Sequence, residues 1–261
     1  MRREAFADRI VCRFSCGAAS AVATKLAIDR FGDRVTIVNA FLRSEHADNR
    51  RFLSDCERWY GRTIEVVRDT KYNADPLEVW RRNRFIVNRS GAKCSKVLKR
   101  DVLETHRRPD DTIVLGYTAE EQKRQDRFVD ANPNTILWCP LIEAGLTKRQ
   151  CLERVSEAGI VLPLPYRLGY HNANCVDPPC PKGGEGYWNK ARVDFPEGYE
   201  GVAALQDVLG PGSYFFRNRK TGVRISLRML SPTAGRFKDE PPVECGGTCE
   251  MPEDRAEAVS E

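Results

Sequence analysis

The sequence predicts an α/β protein: a Rossmann-like parallel sheet of about five strands with helices on both faces, followed by an irregular region rich in Cys, Pro and Gly. Two observations lead to this prediction. Short runs of β-branched residues alternate with segments of helical periodicity, which is typical of βαβ units and a parallel sheet. After residue 158, Pro and Gly crowd the chain. We therefore expect an α/β domain over 1–168 and a Cys-rich region with a tail over 169–261.

Each element follows from its local pattern. Strands are expected over 10–14, 35–41, 63–68, 112–117 and 136–139. Helices are expected over 21–31, 47–60, 95–106 and 147–158, and another begins at Pro76. Further along, 214–217 and 223–227 have the pattern of a hairpin around Lys220-Thr221-Gly222. The remainder, 231–261, is rich in Pro, Gly and acids and is expected to be an extended tail.

Composition excludes several classes of protein. With 41% hydrophobic and 30% charged residues, the chain is an ordinary globular sequence rather than a disordered or fibrous one. No apolar run approaches the roughly 20 residues that a membrane-spanning helix needs. Charges interrupt the first residues, so we expect no signal peptide, no membrane partner and a cytoplasmic location. Ten cysteines in such a chain are expected to be reduced, metal-bound or catalytic rather than paired.

Positive charge is densest over residues 81–108, which contain ten Lys and Arg residues and only two acidic residues. A concentrated basic patch indicates a phosphate-bearing partner, either a nucleotide or a nucleic acid. The alternative is a solvated helix face. A second segment, 187–192, alternates aromatic and cationic residues, which suits either base stacking or packing.

The turn between the first strand and the first helix, Ser15–Ser20, consists of small residues only. Parallel α/β folds bind ligands at the carboxyl ends of their strands, so this turn is the first place to look for a site. Small side chains let backbone N–H groups approach an anion, and a helix N-terminus adds positive potential. The sequence therefore favours a phosphate loop equally with a turn that serves packing alone.

The cysteines fall into separate groups. Cys175 and Cys180 flank a rigid Val-Asp-Pro-Pro turn and form the close pair that iron–sulfur sites often contain. Zinc and unliganded thiols are the alternatives. The remaining group lies in segments of apolar periodicity and is expected to fill the core: Cys12, Cys56, Cys139 and Cys151.

The Ser15–Ser20 turn resembles the phosphate loop of the adenine-nucleotide α-hydrolase superfamily, Ser-Gly-Gly-x-Asp-Ser/Thr. Ser15, Gly17 and Ser20 match this motif, whereas Cys16 replaces a Gly and Ala19 replaces the Asp. The branch that resembles phosphoadenosine phosphosulfate (PAPS) reductases lacks that Asp too. The resemblance therefore indicates this branch rather than the enzymes that cleave ATP to pyrophosphate.

Other motifs of the same branch follow in order along the chain. Pro140-Leu141, Pro163-Leu164 with Tyr166, Gly169-Tyr170 and then Cys175 resemble the block after the fourth strand of sulfonucleotide reductases. Three further segments resemble their Cys-x-x-x-Leu-Lys, Gly-x-x-x…Arg and C-terminal Glu-Cys-Gly elements: Cys94 to Lys99, Gly116-Tyr117-Thr118 with Arg124 and Arg127, and Glu244-Cys245-Gly246.

The resemblance implies a set of site residues. It places the nucleotide phosphates on Ser15, Cys16, Gly17, Ala18 and Ser20, with Lys96, Lys99, Arg124 and Arg127 around them. Cys245 would be the nucleophile, and Cys249 or a thioredoxin-like reductant would supply the resolving thiol. Cys94, Cys175 and Cys180 would hold an iron–sulfur cluster of the [4Fe–4S] type.

The fourth cluster ligand is left open by the sequence. Lys93 stands where cluster-bearing reductases have a second Cys, and the later pair is Cys-x4-Cys rather than Cys-x2-Cys. Cys245 or Cys249 is a candidate, as is a free iron site like that of three-Cys enzymes that thiolate tRNA. The leading hypothesis is a PAPS reductase-like enzyme; the alternatives are a sulfur-insertion enzyme acting on tRNA or DNA and a non-catalytic nucleotide-binding cluster sensor.

Overall fold

The centre of the molecule is a five-stranded parallel sheet. The computed structural model describes residues 6–87, 91–218, 220–243 and 245. The strand order is β3-β2-β1-β4-β5, which is the expected Rossmann-like arrangement. The strands are β1 (Ile10–Arg13), β2 (Val35–Ala40), β3 (Glu65–Val67), β4 (Thr112–Val114) and β5 (Ile136–Trp138).

All five strands lie where the sequence predicted them, and each is one to three residues shorter than expected. Most of this difference lies at the carboxyl ends, where the chain leaves the sheet. Phe14 still donates a backbone hydrogen bond to Val38, 2.9 Å away, but the residues after it turn away into the loop. Apolar character alone does not reveal this departure, because the residues that follow the strands are buried as well.

The helices cover both faces of the sheet. One face packs against α1 (Ala18–Phe31), α2 (Asp48–Tyr60) and α8 (Lys148–Glu157), and the other against α5 (Asp101–Glu104) and α6 (Gln122–Ala131). Between these lie α3 (Pro76–Asn83), α4 (Lys93–Ser95), α7 (Pro140–Glu143) and α9 (Leu164–Arg167). Within the described ranges, no helix combines the length and apolar character that crossing a bilayer requires.

Two predicted helices differ in their bounds. Helix α1 begins at Ala18 rather than at residue 21, so Ala18, Ala19 and Ser20 form its first turn. The helix expected over 95–106 is α4, a π-helical turn Lys96–Arg100 and α5 in succession. A π turn re-aims the side chains that follow it and often marks a functional site.

The region after residue 168 is more ordered than the sequence indicates. It contains α10 (Glu185–Asp194) and α11 (Pro196–Leu209), which were not expected. Their sequences hold several glycines and aromatic residues, which weakens the helical signal; Gly186 and Gly198 approach other backbone segments closely. The expected hairpin is present as a short antiparallel pair, β6 (Phe216–Arg217) and β7 (Arg224–Ile225).

A second hydrophobic core lies outside the sheet. It joins Trp80 of α3 and Leu98 of the π turn to Trp188 of α10 and Val202 of α11. The residues come from both sides of position 168, because α3 and α4 pack with the C-terminal region. The division of the chain at residue 168 stays a prediction. Cys94 and Cys180 belong to this core, and Cys175 packs against it.

Candidate functional site

A cavity of about 440 Å³ opens at the carboxyl ends of β1, β2 and β4. Its wall includes residues of the Ser15–Ser20 turn, the segment 115–118 after β4, and the later segments 171–174 and 242–243. β1 and β4 are the neighbours at which the strand order reverses. Open parallel sheets bind their ligands at such a position. The cavity thus lies beside the turn that the sequence singled out.

Ser20 organises the Ser15–Ser20 turn. Its Oγ accepts hydrogen bonds from the backbone N–H of Ser15 (3.1 Å) and of Gly17 (3.4 Å), and it donates to the Gly17 carbonyl (2.9 Å). The Ser15 hydroxyl donates to the same Oγ over 3.1 Å. Both hydroxyls are therefore engaged within the turn. The hydrogen bonds of Ser20 therefore fix the conformation of the turn. A ligand would bind the Ser20 hydroxyl only by replacing one of these hydrogen bonds.

Two glycines permit close approaches at the turn. A Cβ on Gly116 would lie 2.8 Å from the backbone of Ser20, so only glycine lets the end of β4 pass the first turn of α1. A Cβ on Gly17 would lie 3.2 Å from the Tyr166 hydroxyl, which accepts a hydrogen bond from the Ala18 N–H over 3.3 Å. Tyr166 thus closes one side of the turn.

Cys16 and Ala18 take supporting positions. Cys16 has a φ of +55°, which L-residues rarely adopt and which explains a glycine at this place in related motifs. Its buried Sγ accepts a hydrogen bond from Arg50 Nη2 over 3.2 Å and lies 3.6 Å from Asn39 Nδ2. The cavity wall within the described residues includes Ser15, Gly17, Ala19 and Ser20 but neither Cys16 nor Ala18.

Four basic side chains line the cavity: Arg13, Lys99, Arg124 and Lys148. Arg13 pairs with Glu104, and Arg124 pairs with Glu121 over 2.6 Å. Lys148 Nζ donates to Asn172 Oδ1 over 2.7 Å. Glu120 and Glu121 also lie in the wall, so among the described residues of the wall Lys and Arg outnumber acids two to one. This balance suits an anionic ligand.

Two of the expected phosphate contacts lie elsewhere. Lys96 is exposed and pairs with Asp101 over 2.9 Å, and Arg127 is exposed and donates to the Lys123 carbonyl over 3.2 Å. Neither belongs to the cavity wall formed by the described residues. Lys96 and Lys99 both lie in the π turn but make contacts on different sides of it, and Arg127 lies almost one helical turn beyond Arg124. The sequence spacing did not reveal which side chains turn inward.

The cysteines expected to hold a cluster come from separate segments and interact with one another. Burial, and then the neighbouring thiols of Cys175 and Cys245, raise the pKa of Cys94 to about 12. Burial, Cys245 and Cys94 raise the pKa of Cys180 to about 12. Burial also raises the pKa of Cys175, and Cys245 and Cys180 add to the effect. Cys245 is therefore the fourth thiol of this group, which we call the thiol cluster.

Polar groups hold the thiol cluster in place. The Tyr187 hydroxyl accepts a hydrogen bond from the Cys180 N–H (3.2 Å) and donates to the Cys175 carbonyl (2.7 Å). The Trp80 indole N–H is buried with no acceptor among the described residues, and it lies close enough to Cys94 to lower that thiol's pKa against the larger effect of burial. The backbone N–H of Lys182 likewise lowers the pKa of Cys180 against the larger effect of burial.

Lys99 connects the thiol cluster with the cavity. Its Nζ lies 2.8 Å from Glu45 Oε1, and the two side chains are only 12% and 3% exposed. Burial alone would lower the pKa of Lys99, but Glu45, Cys245 and Cys175 raise it above its ordinary value. Lys99 therefore keeps its positive charge beside the thiols and at the cavity wall. It offsets the negative charge that thiolates or phosphates would bring.

The donor set of the thiol cluster fits an iron–sulfur cluster. A [4Fe–4S] cluster uses four cysteine thiolates, and N–H groups near its sulfurs tune its potential. The thiol cluster offers four cysteines, and Trp80 and Lys182 supply such N–H groups. Across residues 6–87, 91–218, 220–243 and 245, no three His, Cys, Asp or Glu side chains converge on one point to hold a single ion. A cluster, in which each thiolate binds its own iron, does not need that convergence.

Cys245 belongs to both the cavity and the thiol cluster. It is half-buried, lines the cavity, and its Sγ lies 3.3 Å from Ser95 Oγ. Its carbonyl accepts a hydrogen bond from Arg124 Nη2 over 3.4 Å. Cys249 and the neighbouring Glu244 and Gly246 lie outside the described residues. The remaining cysteines expected in the core, Cys12, Cys56, Cys139 and Cys151, are all buried there.

The basic patch is partly neutralised. Arg81 and Arg82 pair with Glu78, Lys96 with Asp101, and Arg107 with Glu104. In the 187–192 segment, Tyr187 and Trp188 are buried in the second core, so these aromatic rings serve packing. His171 lines the cavity and stacks on Phe237 with 5.1 Å between ring centroids.

Several residues of the site were not found by sequence reasoning. Arg13 ends β1 and Lys148 begins α8, and each enters the cavity because its backbone lies at the sheet's carboxyl edge. Arg13 lies two residues before Ser15, and this closeness to the Ser15–Ser20 turn was the available signal. Trp80 carries no signal of its own, because an indole on a helix normally indicates core packing.

The fold and the cavity define an α/β protein with a Rossmann-like parallel sheet and a concave site at its topological switch point. Comparison of the chain with models of protein families finds no match, and a search of the curated proteins finds none either. The assignment of a function therefore depends on the chemistry of the cavity and the thiol cluster.

Proposed function

We propose that this protein is an adenine-nucleotide-binding enzyme of sulfur chemistry, which reduces an adenylylated sulfate such as PAPS or adenylyl sulfate. The observation that carries the proposal is the position of Cys245. Its thiol lies in the wall of the cavity that contains the Ser15–Ser20 turn, together with the cations Lys99, Arg124 and Lys148. A nucleophilic thiol and an anion site thus share one concave surface.

The reaction has two steps. The Cys245 thiolate attacks the sulfur of the bound sulfate group; an S–S bond forms, the S–O bond to the phosphate breaks, and the nucleotide leaves with the electron pair on its phosphate oxygen. A second thiolate then attacks Cys245 Sγ, a disulfide forms, and sulfite departs with the electron pair. Two thiols are oxidised while sulfate sulfur is reduced to sulfite. Cys249 or a thioredoxin-like dithiol would supply the second thiol.

The cavity residues have separate roles in this scheme. The first turn of α1 and the cations would hold the phosphates, and Lys99 would favour the thiolate of Cys245 by its nearby charge. Cys94, Cys175 and Cys180 would hold the iron–sulfur cluster, which supplies redox or electrostatic chemistry when bound.

The proposal is tested with anaerobically prepared protein and PAPS or adenylyl sulfate. We expect sulfite release and, without reductant, a sulfonate group on Cys245 detected by mass spectrometry. Cys245→Ser should lose both and still bind nucleotide, and Cys151→Ser, which changes a buried core cysteine of α8, should keep both. Absence of sulfite and of the adduct with either nucleotide contradicts the reductase.

A second function is favoured by one observation. Cys245 lies near enough to the other three members of the thiol cluster to raise the pKa of each, which supports it as a candidate fourth cluster ligand. A ligated Cys245 is not a free nucleophile, which argues against the reductase, whereas sulfur insertion into tRNA or DNA does not need a free Cys245 thiol. In that case Cys245→Ser loses iron, and thionucleoside accumulates in nucleic acid of cells that express the wild type. Nucleotide binding without either product would indicate the third alternative, a cluster-bearing sensor.

A further inference from the structure

The segment 231–243, which we call the strap, crosses the C-terminal region instead of extending into solvent as expected. Asn189 Nδ2 donates to the carbonyls of Ser231 (2.8 Å) and Ala234 (2.7 Å). Phe237 packs on Tyr170 and His171, with ring centroids 5.4 and 5.1 Å apart. Proline and glycine content made this segment look unstructured, because the contacts that order it come from distant residues.

Glu240 joins the strap to the first turn of α10. One carboxylate oxygen accepts a hydrogen bond from the Gly186 N–H over 2.6 Å, and the other accepts from the Tyr187 N–H over 2.8 Å. The N-terminus of a helix presents unpaired N–H groups and a positive dipole end, so a carboxylate binds there with favourable charge. Glu240 thus fills the place of a side-chain cap for a ten-residue helix whose N-cap residue is Gly184.

Three glycines make this contact possible. A Cβ on Gly184 would lie 2.5 Å from the Glu240 carboxyl carbon, and one on Gly186 would lie 2.4 Å from the Phe237 nitrogen. A Cβ on Gly235 would lie 2.3 Å from the Gly186 nitrogen. The strap and α10 therefore approach each other more closely than side chains allow. These close contacts form only when the strap lies against the first turn of α10.

The strap leads directly into the cavity. Three residues beyond Glu240, the Val243 carbonyl accepts hydrogen bonds from Asn172 Nδ2 (3.1 Å) and Asn174 Nδ2 (3.0 Å), and Val243 lines the cavity. Two residues further, Cys245 lies beside Ser95. The first turn of α10 also carries Tyr187, whose hydroxyl bonds Cys175 and Cys180. One helical turn therefore contacts both the strap and the thiol cluster.

We propose that Glu240 is a positioning residue for Cys245: its carboxylate, bound to the first turn of α10, docks the strap and thereby holds the Cys245 thiol in the cavity wall beside Ser95. Gly186 contributes from the side of α10, because its lack of a side chain leaves room for the strap. The proposal goes beyond the proposed function, because it holds whether Cys245 is a nucleophile or a cluster ligand. It concerns where the thiol lies and not which reaction it performs.

The test measures the rate at which iodoacetamide alkylates Cys245 in the full chain, both with and without its cluster. Mass spectrometry after digestion identifies the alkylated cysteine. Glu240→Ala should raise that rate about tenfold or more, since two hydrogen bonds to a charged acceptor are lost. Glu240→Gln keeps one acceptor oxygen and should restore part of the protection. Asp239→Ala is the matched control, because this exposed neighbour pairs only with Arg236 among the described residues and should leave the rate unchanged.

The Gly186→Ala variant distinguishes a loss of strap docking from a general loss of protein stability. The higher helix propensity of alanine offsets the loss of the Glu240 cap on α10, whereas the added methyl group displaces the strap and should raise alkylation of Cys245. Cys151, fully buried in the sheet core, reports unfolding in the same sample. Unchanged alkylation of Cys245 in both variants, or an equal rise at Cys151, overturns the proposal. Because no nucleotide is used, failure of the reductase leaves this result unaffected.

Discussion

Ser95 Oγ lies 3.3 Å from Cys245 Sγ, although 150 positions separate the two residues in the chain. Ser95 directly follows Cys94, so this contact brings the end of the strap to the first member of the thiol cluster. The same thiol faces the cavity at the carboxyl ends of the strands. The contact therefore joins the two parts of the candidate site, the thiol cluster and the cavity.

The first prediction concerns iron. Ser substitution at Cys94, Cys175 or Cys180 should remove most iron and sulfide from anaerobically prepared protein and abolish its brown colour, because each thiolate binds one iron of a cluster. Cys56→Ser and Cys151→Ser change fully buried thiols outside the thiol cluster and should retain both. Metal and sulfide analysis with visible absorbance makes the measurement. Wild-type protein with stoichiometric zinc and no iron would contradict this expectation.

The second prediction concerns the phosphate turn. Gly17→Val should weaken adenine-nucleotide binding by at least tenfold, because its side chain would reach into the cavity near Tyr166 and block the approach of phosphate to the backbone. Calorimetry with AMP, ADP and 3′-phosphoadenosine 5′-phosphate measures the affinity. The backbone at Gly17 has a φ of −107°, which valine adopts without strain, so the variant should fold. Unchanged affinity for every nucleotide would exclude this turn as the binding site.

The third prediction concerns Trp80. Trp80→Phe should make the midpoint potential of the bound cluster more negative by roughly 50 mV. The substitution removes an N–H group near the Cys94 sulfur, and the reduced cluster should then lose about the free energy of one hydrogen bond. Trp188→Phe is the matched control: its indole N–H is also buried without an acceptor in the described residues, and its ring packs against Tyr199 and Phe215 instead. Equal potentials in the two variants would assign Trp80 to packing only.

The fourth prediction concerns pH and Asp48. The Arg51 guanidinium, followed by the Leu164 N–H and Arg167, lowers the pKa of Asp48 to about 2 despite the opposing effect of burial. A carboxyl whose pKa falls on folding adds stability above its unfolded pKa of 3.8, and this stability is lost as pH falls toward 2. Asp48→Asn should therefore lower the free energy of unfolding at pH 7 by about 1–2 kcal/mol.

Denaturant unfolding at several pH values measures this difference. The gap between wild type and Asp48→Asn should narrow steadily as the pH is lowered from 4. Asp29→Asn, which removes an exposed pair with Lys25, should change the free energy of unfolding by no more than about 0.5 kcal/mol at any pH. A gap that is constant with pH would mean that Asp48 acts through packing and not through its charge.

The sequence by itself determined the parallel sheet, the positions of its five strands and the turn beside which the cavity lies. Periodicity is a local property, and β-branched strands followed by amphipathic helices leave few arrangements open. The small residues of Ser15–Ser20 marked the turn, and the resemblance in motifs directed attention to Cys94, Cys175, Cys180 and Cys245. The nucleotide, the cluster and the chemistry they imply stay predictions.

Only the tertiary structure decided which of these residues meet and which face inward. Lys99 enters the cavity while Lys96 pairs outside it with Asp101, although both residues lie in the same π turn. The strap is ordered by Glu240 on α10 and by glycines that permit close backbone contact, and none of these contacts leaves a periodic signal. Packing between segments far apart in sequence has no local signature, and it is this packing that places Cys245 between the cavity and the other three thiols.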